Sequence, residues 1–297
     1  MREPALIRML PDGRRLHLHD GPIDLIIEAN GAPRAISAAY EAAARRFVSI
    51  LDELCGELPL LRTGARKNSM HPRGVIARRM FAAVEPYCED CFITPMAAVA
   101  GSVAEEILEA MTAAATLDRA CVNNGGDIAL HLADLQCYKI GLVELPDRPS
   151  LFGSLEITAA DPVRGIATSG WRGRSFSLGI ADAVTVLAES ASAADAAATV
   201  IANAVNLPDH PGVTRVPARE IFPDSDLGDL LVTRGVEALS GSEIFAALDS
   251  GARLAEALRT RGLIHSAALC LQGRTCVVSP LSGQARIECP QRSLLHA

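Results

Sequence analysis

The order of apolar and polar positions divides the chain into segments with different periods. Ala5–Leu10 and Arg15–His19 flank the turn residues Pro11-Asp12-Gly13 and predict a β-hairpin. After Gly21-Pro22, Ile23–Ala29 reads as a further apolar strand, closed by Asn30-Gly31. From Pro33 the period changes: Ile36, Tyr40, Ala43, Phe47, Ile50, Leu51 and Leu54 recur at threes and fours, the spacing of one helix face. A second helix is expected after Pro72, with Ile76, Met80 and Val84 on one side and Pro86 at its end. A third is expected over Ala97–Asp118, where small residues suit close packing of a helix on a sheet.

From Cys121 short strands return, near Ile128–His131, Tyr138–Val143, Leu155–Thr158, Ile166–Thr168 and Ala183–Leu187, separated by Gly, Asn, Asp and Pro. A helix is expected over Ala193–Val205 and an amphipathic one over Ser242–Thr260, with Ile244, Leu248, Leu254 and Leu258 inward. Leu207–Asp226 holds Pro208, Pro211, Pro217 and Pro223 and reads as a long irregular connection. Leu263–Leu271 and Thr275–Val278 make a closing hairpin around Gln272-Gly273-Arg274. Strands and long helices in this order predict an α+β fold, mixed or antiparallel sheets packed with long helices, rather than a strictly alternating parallel sheet. No shift of composition marks an internal boundary, so residues 1–297 are expected to form a single domain.

Charge and composition narrow the partners. Lys+Arg 28 against Asp+Glu 35 gives a net charge of −7, and no long basic run exists, which argues against nucleic acid as a partner. Aromatic residues are only 4% of the chain, which also disfavours the stacking platforms of single-strand binders. The longest chargeless run, Cys91–Ala104, is interrupted by Pro95 and Gly101 and falls short of the roughly 20 apolar residues a membrane span needs. With Arg2, Glu3 and Arg8 in place of an apolar signal core, a cytoplasmic location is expected. Most of the eight cysteines sit among aliphatics, as small buried apolar side chains do. Cys88-Glu-Asp-Cys91 has the spacing of a redox or metal half-site. Without a second pair it reads first as two reduced thiols at a helix end.

Candidate chemistry gathers in three segments. Asn124-Gly125-Gly126-Asp127 has residues that tolerate positive φ, suited either to an anion-binding nest of backbone N–H groups or to a plain hairpin turn. Thr168-Ser169-Gly170-Trp171-Arg172-Gly173-Arg174 combines hydroxyls, glycines and guanidiniums, which bind phosphate, with the chain's one tryptophan, which can cover a flat ring. The alternative is a polar loop anchored by a buried Trp. Asp195 and Thr199 lie one helical turn apart among alanines, a pair of hard oxygens suited to magnesium or, alternatively, a capping device. Asp224-Ser225-Asp226-Leu227-Gly228-Asp229 is an acidic turn that reads as a helix cap, and His71, Arg73, Arg78 and Arg79 as a solvated basic face.

In their order, Gly125-Gly126-Asp127, Ala167-Thr168-Ser169-Gly170 and Ala194-Asp195-Ala196-Ala197-Ala198-Thr199 resemble the motifs of the ApbE-like superfamily of flavin transferases, and most closely its branch of short bacterial and archaeal proteins. The branch resemblance extends from Gly21-Pro22-Ile23-Asp24 through Thr94–Gly101 to Asp224–Gly228. It implies an ApbE-like fold and a flavin- or nucleotide-handling protein, with magnesium-dependent transfer of FMN from FAD to an acceptor flavoprotein as the family activity. By motif, Asp195 and Thr199 match the metal pair, with a main-chain carbonyl near Ala98 as a third ligand. The chain departs from the transferases in two segments: the family lysine is missing from Pro95–Ser102, and the family histidine from Ser175–Asp182. The alternative these departures favour is a flavin-binding or assembly protein that supports a redox partner without transferring FMN. A thiol-dependent metal protein using Cys88 and Cys91 is a third class.

Overall fold

In the computed structural model, residues 4–67, 70–143, 151–280 and 294–296 are described. The chain divides into two compact units interleaved in sequence. One comprises Met1–Cys137, Thr158–Ile166 and Ser190–Asp195, the other Tyr138–Ile157, Ala167–Glu189 and Ala196–Ala297.

The first unit is built on an antiparallel sheet. Strands β1 (Leu6–Met9) and β2 (Leu16–Asp20) form the expected hairpin, β3 (Ile23–Asn30) pairs with β2, and β4 (Arg119–Asn124) and β5 (Asp127–Leu132) continue the sheet. Along β3 buried and half-buried residues alternate, so Ile23, Leu25, Ile27 and Ala29 share the inner face. Over that face lie helices α1 (Pro33–Gly56), with the short α2 (Leu58–Leu61) after it, α3 (Val75–Val84) and α4 (Val99–Ala114). Pro33 opens α1, where its missing N–H costs nothing. Phe47 and Ile50 of α1, Met80 of α3 and Ile107 and Met111 of α4 join Leu18, Leu25, Ile27 and Val122 of the strands in one core. Each such side chain contributes about 1.5–3 kcal/mol when fully buried.

Helices α1, α3 and α4 are also joined by charge. Arg46 of α1 binds Glu106 at 2.6 Å and Glu53 at 2.8 Å. Arg79 of α3 reaches Glu105 at 3.0 Å, Glu106 at 3.1 Å and Glu109 at 2.7 Å. The basic residues after His71 are therefore not all a solvated face: Arg79 is largely buried, with a row of α4 carboxylates as partners.

In the second unit β6 (Cys137–Val143) and β7 (Leu151–Thr158) make a ribbon. Strand β8 (Gly165–Ser169) enters beside β5 with Gly165 and Ile166 in the first unit, and its Ala167–Ser169 belong to the second. There β9 (Ala183–Ala188) pairs antiparallel with the later strand Ser266–Leu271. Between them in sequence come α5 (Ala191–Ala204), β10 (Val213–Pro217), α6 (Ala218–Ile221), β11 (Leu231–Val236) and α7 (Gly241–Thr260). Then β12 (Ser266–Leu271) and β13 (Arg274–Val278) form the expected closing hairpin under α7, with β14 (Leu294–His296) parallel to β13. Strands β9 and β12 are buried at every position, and both are apolar except for Thr185 and Ser266.

The connection expected over Leu207–Asp226 is corrected. Its middle is β10 and α6, and β10 pairs antiparallel with β11. The prolines flank the strand rather than interrupt it: Pro211 lies before it and Pro217 ends it, while Thr214, Arg215 and Val216 keep their N–H groups for pairing. The acidic run Asp224–Asp229 is a turn with Gly228 at φ 54°, and no helix follows it directly. Asp229 instead pairs with Arg219 at 2.5 Å.

Candidate functional site

In the first unit the start of α4 meets the start of α5 at backbone distance. A Cβ on Gly101 would lie 2.3 Å from Ala191 O, and one on Gly165 would lie 2.0 Å from Ser190 O. Only hydrogen fits at either position, so these two glycines define how closely the α5 start is held. Hydrogen bonds then cross in both directions. The carboxyl of Asp195, in the first turns of α5, accepts from Gly101 N–H at 3.0 Å and from Ala100 N–H, both in the first turn of α4. Glu105 of α4 accepts from Ser192 N–H, in the first turn of α5, at 2.6 Å. Each helix supplies the carboxylate that satisfies the other's orphan N–H groups and faces its positive dipole end. Neither α4 nor its preceding residues supply a side-chain cap of their own.

The Gly125-Gly126 turn belongs to the same unit. Asn124 and Asp127 are paired across it, and both glycines have positive φ, 68° and 117°. The segment is thus a two-residue hairpin loop, the structure that Asn and Gly favour. Gly126 N–H donates to Asn123 Oδ1 at 2.8 Å and is committed inside the turn. Asn124, nearly buried, donates from Nδ2 to Ala100 O at 3.1 Å and so ties the hairpin to the first turn of α4. Ala98 is fully buried and directly precedes α4.

Carboxyl groups gather at this corner. Burial pushes the Asp195 carboxyl well above the usual carboxylate range, and the nearby Asp127 adds to the push, with Glu105 contributing less. The N–H groups of Gly101 and Ala100 pull in the other direction. Two carboxylates that disfavour each other's ionisation are relieved by a cation, and carboxylate and carbonyl oxygens are the hard donors magnesium takes. Asp195 and Asp127 are donors of the chemical type a hard divalent ion takes. Among the described residues no group of three or more His, Cys, Asp or Glu side chains gathers around a point, so such an ion would keep water or phosphate oxygens as its remaining ligands.

The Thr168–Arg174 segment lies in the second unit and has a centre of its own. Gly170 O accepts from Gly173 N–H at 3.1 Å, making a tight turn with Trp171 and Arg172 at its corners. A Cβ on Gly170 would lie 2.4 Å from Asp182 O, so this glycine is needed for the turn to lie flat on the Ala181-Asp182 backbone. Asp182 Oδ1 accepts from Trp171 Nε1 at 3.2 Å and from Arg172 Nε at 2.7 Å, while Oδ2 accepts from Gln272 N–H at 2.6 Å. Arg172 stacks with its guanidinium carbon 4.5 Å from the Trp171 ring centroid. Thr168 Oγ1 bonds Thr185 Oγ1 at 2.9 Å. Ser169 is half-buried and Arg174 exposed. The sequence does not rank the two arginines. The structure gives Arg172 to Asp182 and Trp171, and leaves Arg174 facing solvent.

The predicted residues thus fall into two groups. Asn124, Gly125, Gly126, Asp127, Ala98 and Asp195 belong to the first unit; Thr168, Ser169, Gly170, Trp171, Arg172 and Arg174 to the second. Thr199, half-buried, is one turn beyond Asp195 on the same helix and falls in the second unit. Sequence reasoning passed over Gly101, Gly165, Glu105, Asp182 and Gln272 as site residues. Their contacts join positions as much as 94 apart, and no local pattern marks such pairs. Cys88 and Cys91 are free thiols just after the Glu85–Tyr87 turn. Burial pushes the Cys91 thiol up, and its sulfur contacts Tyr87 O at 3.7 Å. Among the described residues no helix is long and apolar enough to cross a membrane.

The architecture and these groups define an α+β protein with an acidic helix-start corner and a separate Trp-Arg turn. The family model described as AbpE bacteria matches residues 7–277, and the chain belongs to that family. It also belongs with the UPF0280 proteins. One from Methanopyrus kandleri is 35% identical over 210 residues, covering 70% of this chain and 80% of that protein. Another, from Methanothrix thermoacetophila, is 38% identical over 153 residues, covering 51% of this chain and 61% of that protein. A third, from Methanocella arvoryzae, is 40% identical over 131 residues, and there the match spans half of the relative's length, 50%. Among solved structures, the apo flavinyl transferase ApbE of Pseudomonas stutzeri is similar at a TM-score of 0.47 and 12% identity, over 93% of this chain and 94% of that one.

Proposed function

We propose that this protein handles a flavin nucleotide, binding FAD together with magnesium, and that the acidic corner of Asp195 and Asp127 is where the metal is held. The observation that carries the reading is the buried Asp195 carboxyl where the α4 and α5 starts meet, held by the Gly101 and Ala100 N–H groups with Asp127 nearby. Family membership and the order of the three motifs support flavin as the nucleotide. Asp195 and Asp127 would hold the ion, with Thr199 and the Ala98 carbonyl as the further ligands that the motif resemblance implies. When bound, magnesium neutralises charge on a pyrophosphate and so assists both its binding and its cleavage. Transfer would break the FAD pyrophosphate bond, join the FMN phosphorus to a hydroxyl oxygen of an acceptor flavoprotein, and release AMP and the hydroxyl proton.

A second reading rests on the segments that depart from the transferases. Pro95–Ser102 carries no lysine, and Ser175–Asp182 no histidine. The latter segment instead delivers Asp182 to Trp171 and Arg172. On this reading the protein binds flavin for a redox partner and transfers nothing. Purified protein mixed with FAD and magnesium, with bound flavin and released AMP both measured, tests the two together. Bound flavin with AMP release in the presence of an acceptor supports transfer, and bound flavin alone supports the binding role. Absence of any magnesium-dependent flavin binding contradicts both.

A further inference from the structure

We propose that Asp182 is a positioning residue that holds Trp171 and Arg172 as one stacked platform, and that this platform receives the flat ring of a flavin. The inference rests on the flavin reading above and deepens it by naming the ring's subsite.

A buried carboxylate needs hydrogen-bond partners. The Asp182 side chain is 5% exposed and would be costly to ionise there without partners. Its two oxygens are fully used: Oδ1 by the indole N–H and the Arg172 Nε–H, Oδ2 by the Gln272 backbone N–H. One side of the carboxylate is thus anchored to the β12–β13 turn, and the other side grips both corner residues of the Gly170–Gly173 turn. The turn itself has little freedom, because Gly173 N–H closes it on Gly170 O and Trp171 N–H is bonded to Ala181 O at 3.0 Å.

The side chains so fixed are chemically specific. Arg172 is doubly constrained, through Nε by the carboxylate and through its plane by the indole, yet the side chain remains 41% exposed. A guanidinium backed by an aromatic ring presents a flat, charged, weakly hydrated surface, on which a second planar π-system stacks well. The indole N–H is consumed by Asp182, so the platform offers a face and not a directional donor. That suits a large ring such as isoalloxazine. Arg174, exposed two residues on, supplies the cation for a phosphate attached to the ring.

An asparagine at 182 cannot replace the carboxylate. With one oxygen and one NH2 it must turn a donor toward either the Gln272 N–H or the Trp171 and Arg172 donors. Arg172→Ala offers a second variant, at a partly exposed position, in which Trp171 and Gln272 keep their bonds to Asp182.

The chain's one tryptophan gives a direct readout without any ligand. In Asp182→Asn, and in Arg172→Ala, Trp171 emission is expected to shift to longer wavelength and to become more readily quenched by acrylamide, while far-ultraviolet circular dichroism is unchanged. Calorimetric titration with riboflavin, FMN and FAD then tests the ring. Both variants are expected to weaken all three ligands by a similar factor, roughly tenfold, the order for a lost interaction with a charged group. Arg174→Ala is expected to weaken FMN and FAD but leave riboflavin unchanged. Unmoved Trp171 emission in Asp182→Asn, or unchanged riboflavin affinity in Arg172→Ala, overturns the platform while flavin binding by the parent stands. If the parent binds none of the three flavins, the platform falls together with the flavin reading, and the two failures are told apart.

Discussion

At Gly101 one methyl group decides whether two helix starts can touch. An alanine there would place Cβ 2.3 Å from Ala191 O, against backbone that is held by its own hydrogen bonds. Gly101→Ala is expected to lower stability by about 1–3 kcal/mol, the range for forced overpacking, measured as a lower urea midpoint. Gly241→Ala, with open space around its Cβ, is the control and should shift the midpoint little. Equal midpoints for the two variants would show that the α4–α5 contact has slack. Asp195 needs a finer probe than alanine, because its carboxyl also caps α4 and an alanine there costs about 0.5–2 kcal/mol in lost capping alone. Asn keeps an oxygen for the Gly101 N–H while removing the charge. Magnesium is expected to raise the Tm of the parent and to leave that of Asp195→Asn unchanged; an equal rise in both would take Asp195 out of the metal site. The thiols are expected to be passive. Replacing both Cys88 and Cys91 by serine should leave flavin affinity as it was, and stoichiometric zinc or iron in the parent, lost in this variant, would argue otherwise.

Helix ends carry much of the electrostatics at the scale of elements. The N-terminus of α7 has a capping box in which Ser240 Oγ accepts from Glu243 N–H at 3.3 Å and Glu243 accepts from Ser240 N–H at 2.7 Å. Glu243 also pairs with His210 at 2.9 Å. The His210 bond, then the Ser240 hydroxyl and N–H, hold the Glu243 carboxyl down at about 2, from an ordinary value of 4.5. A carboxylate depressed on folding stabilises the protein above its unfolded pKa, and this contribution is lost as pH falls through the folded value. Unfolding followed between pH 5 and pH 2 should therefore show stability falling across the window from 4.5 to about 2. Glu243→Gln should flatten that part of the profile, and an identical profile would mean the cap does not couple to folding. Sequence reasoning passed over this cap by starting the helix at Ser242, although Ser240 and Glu243 have the capping-box spacing. The crossed caps of α4 and α5 were not legible, because Asp195 and Glu105 act on N–H groups 94 and 87 positions away. Long helices and hairpins could be read from period and turn residues. Strands β10 and β11 escaped because prolines crowd the first, and Arg234-Gly235 breaks the apolar run of the second.

Across the whole molecule, the interleaving of the two units explains why no compositional boundary is visible: each is assembled from three separate stretches, and the division cuts β8 after Ile166 and α5 after Asp195. The α+β class was readable from the order of periods, and family membership agrees with the motif order read along the chain. The candidate site was legible as residue types, hydroxyls and arginines in one segment and Asp195 in another, but not as contacts. The organising roles of Asp182, Glu105 and Gly101 emerge only when the chain is folded. The acidic corner, the motif order and the family together support the proposed magnesium-dependent handling of a flavin nucleotide. The most direct test is equilibrium binding of FAD to the purified parent protein with and without magnesium, set beside Asp195→Asn. The account predicts FAD binding that strengthens with magnesium in the parent and not in the variant. FAD affinity that is the same in all four conditions, or absent from all four, would contradict it.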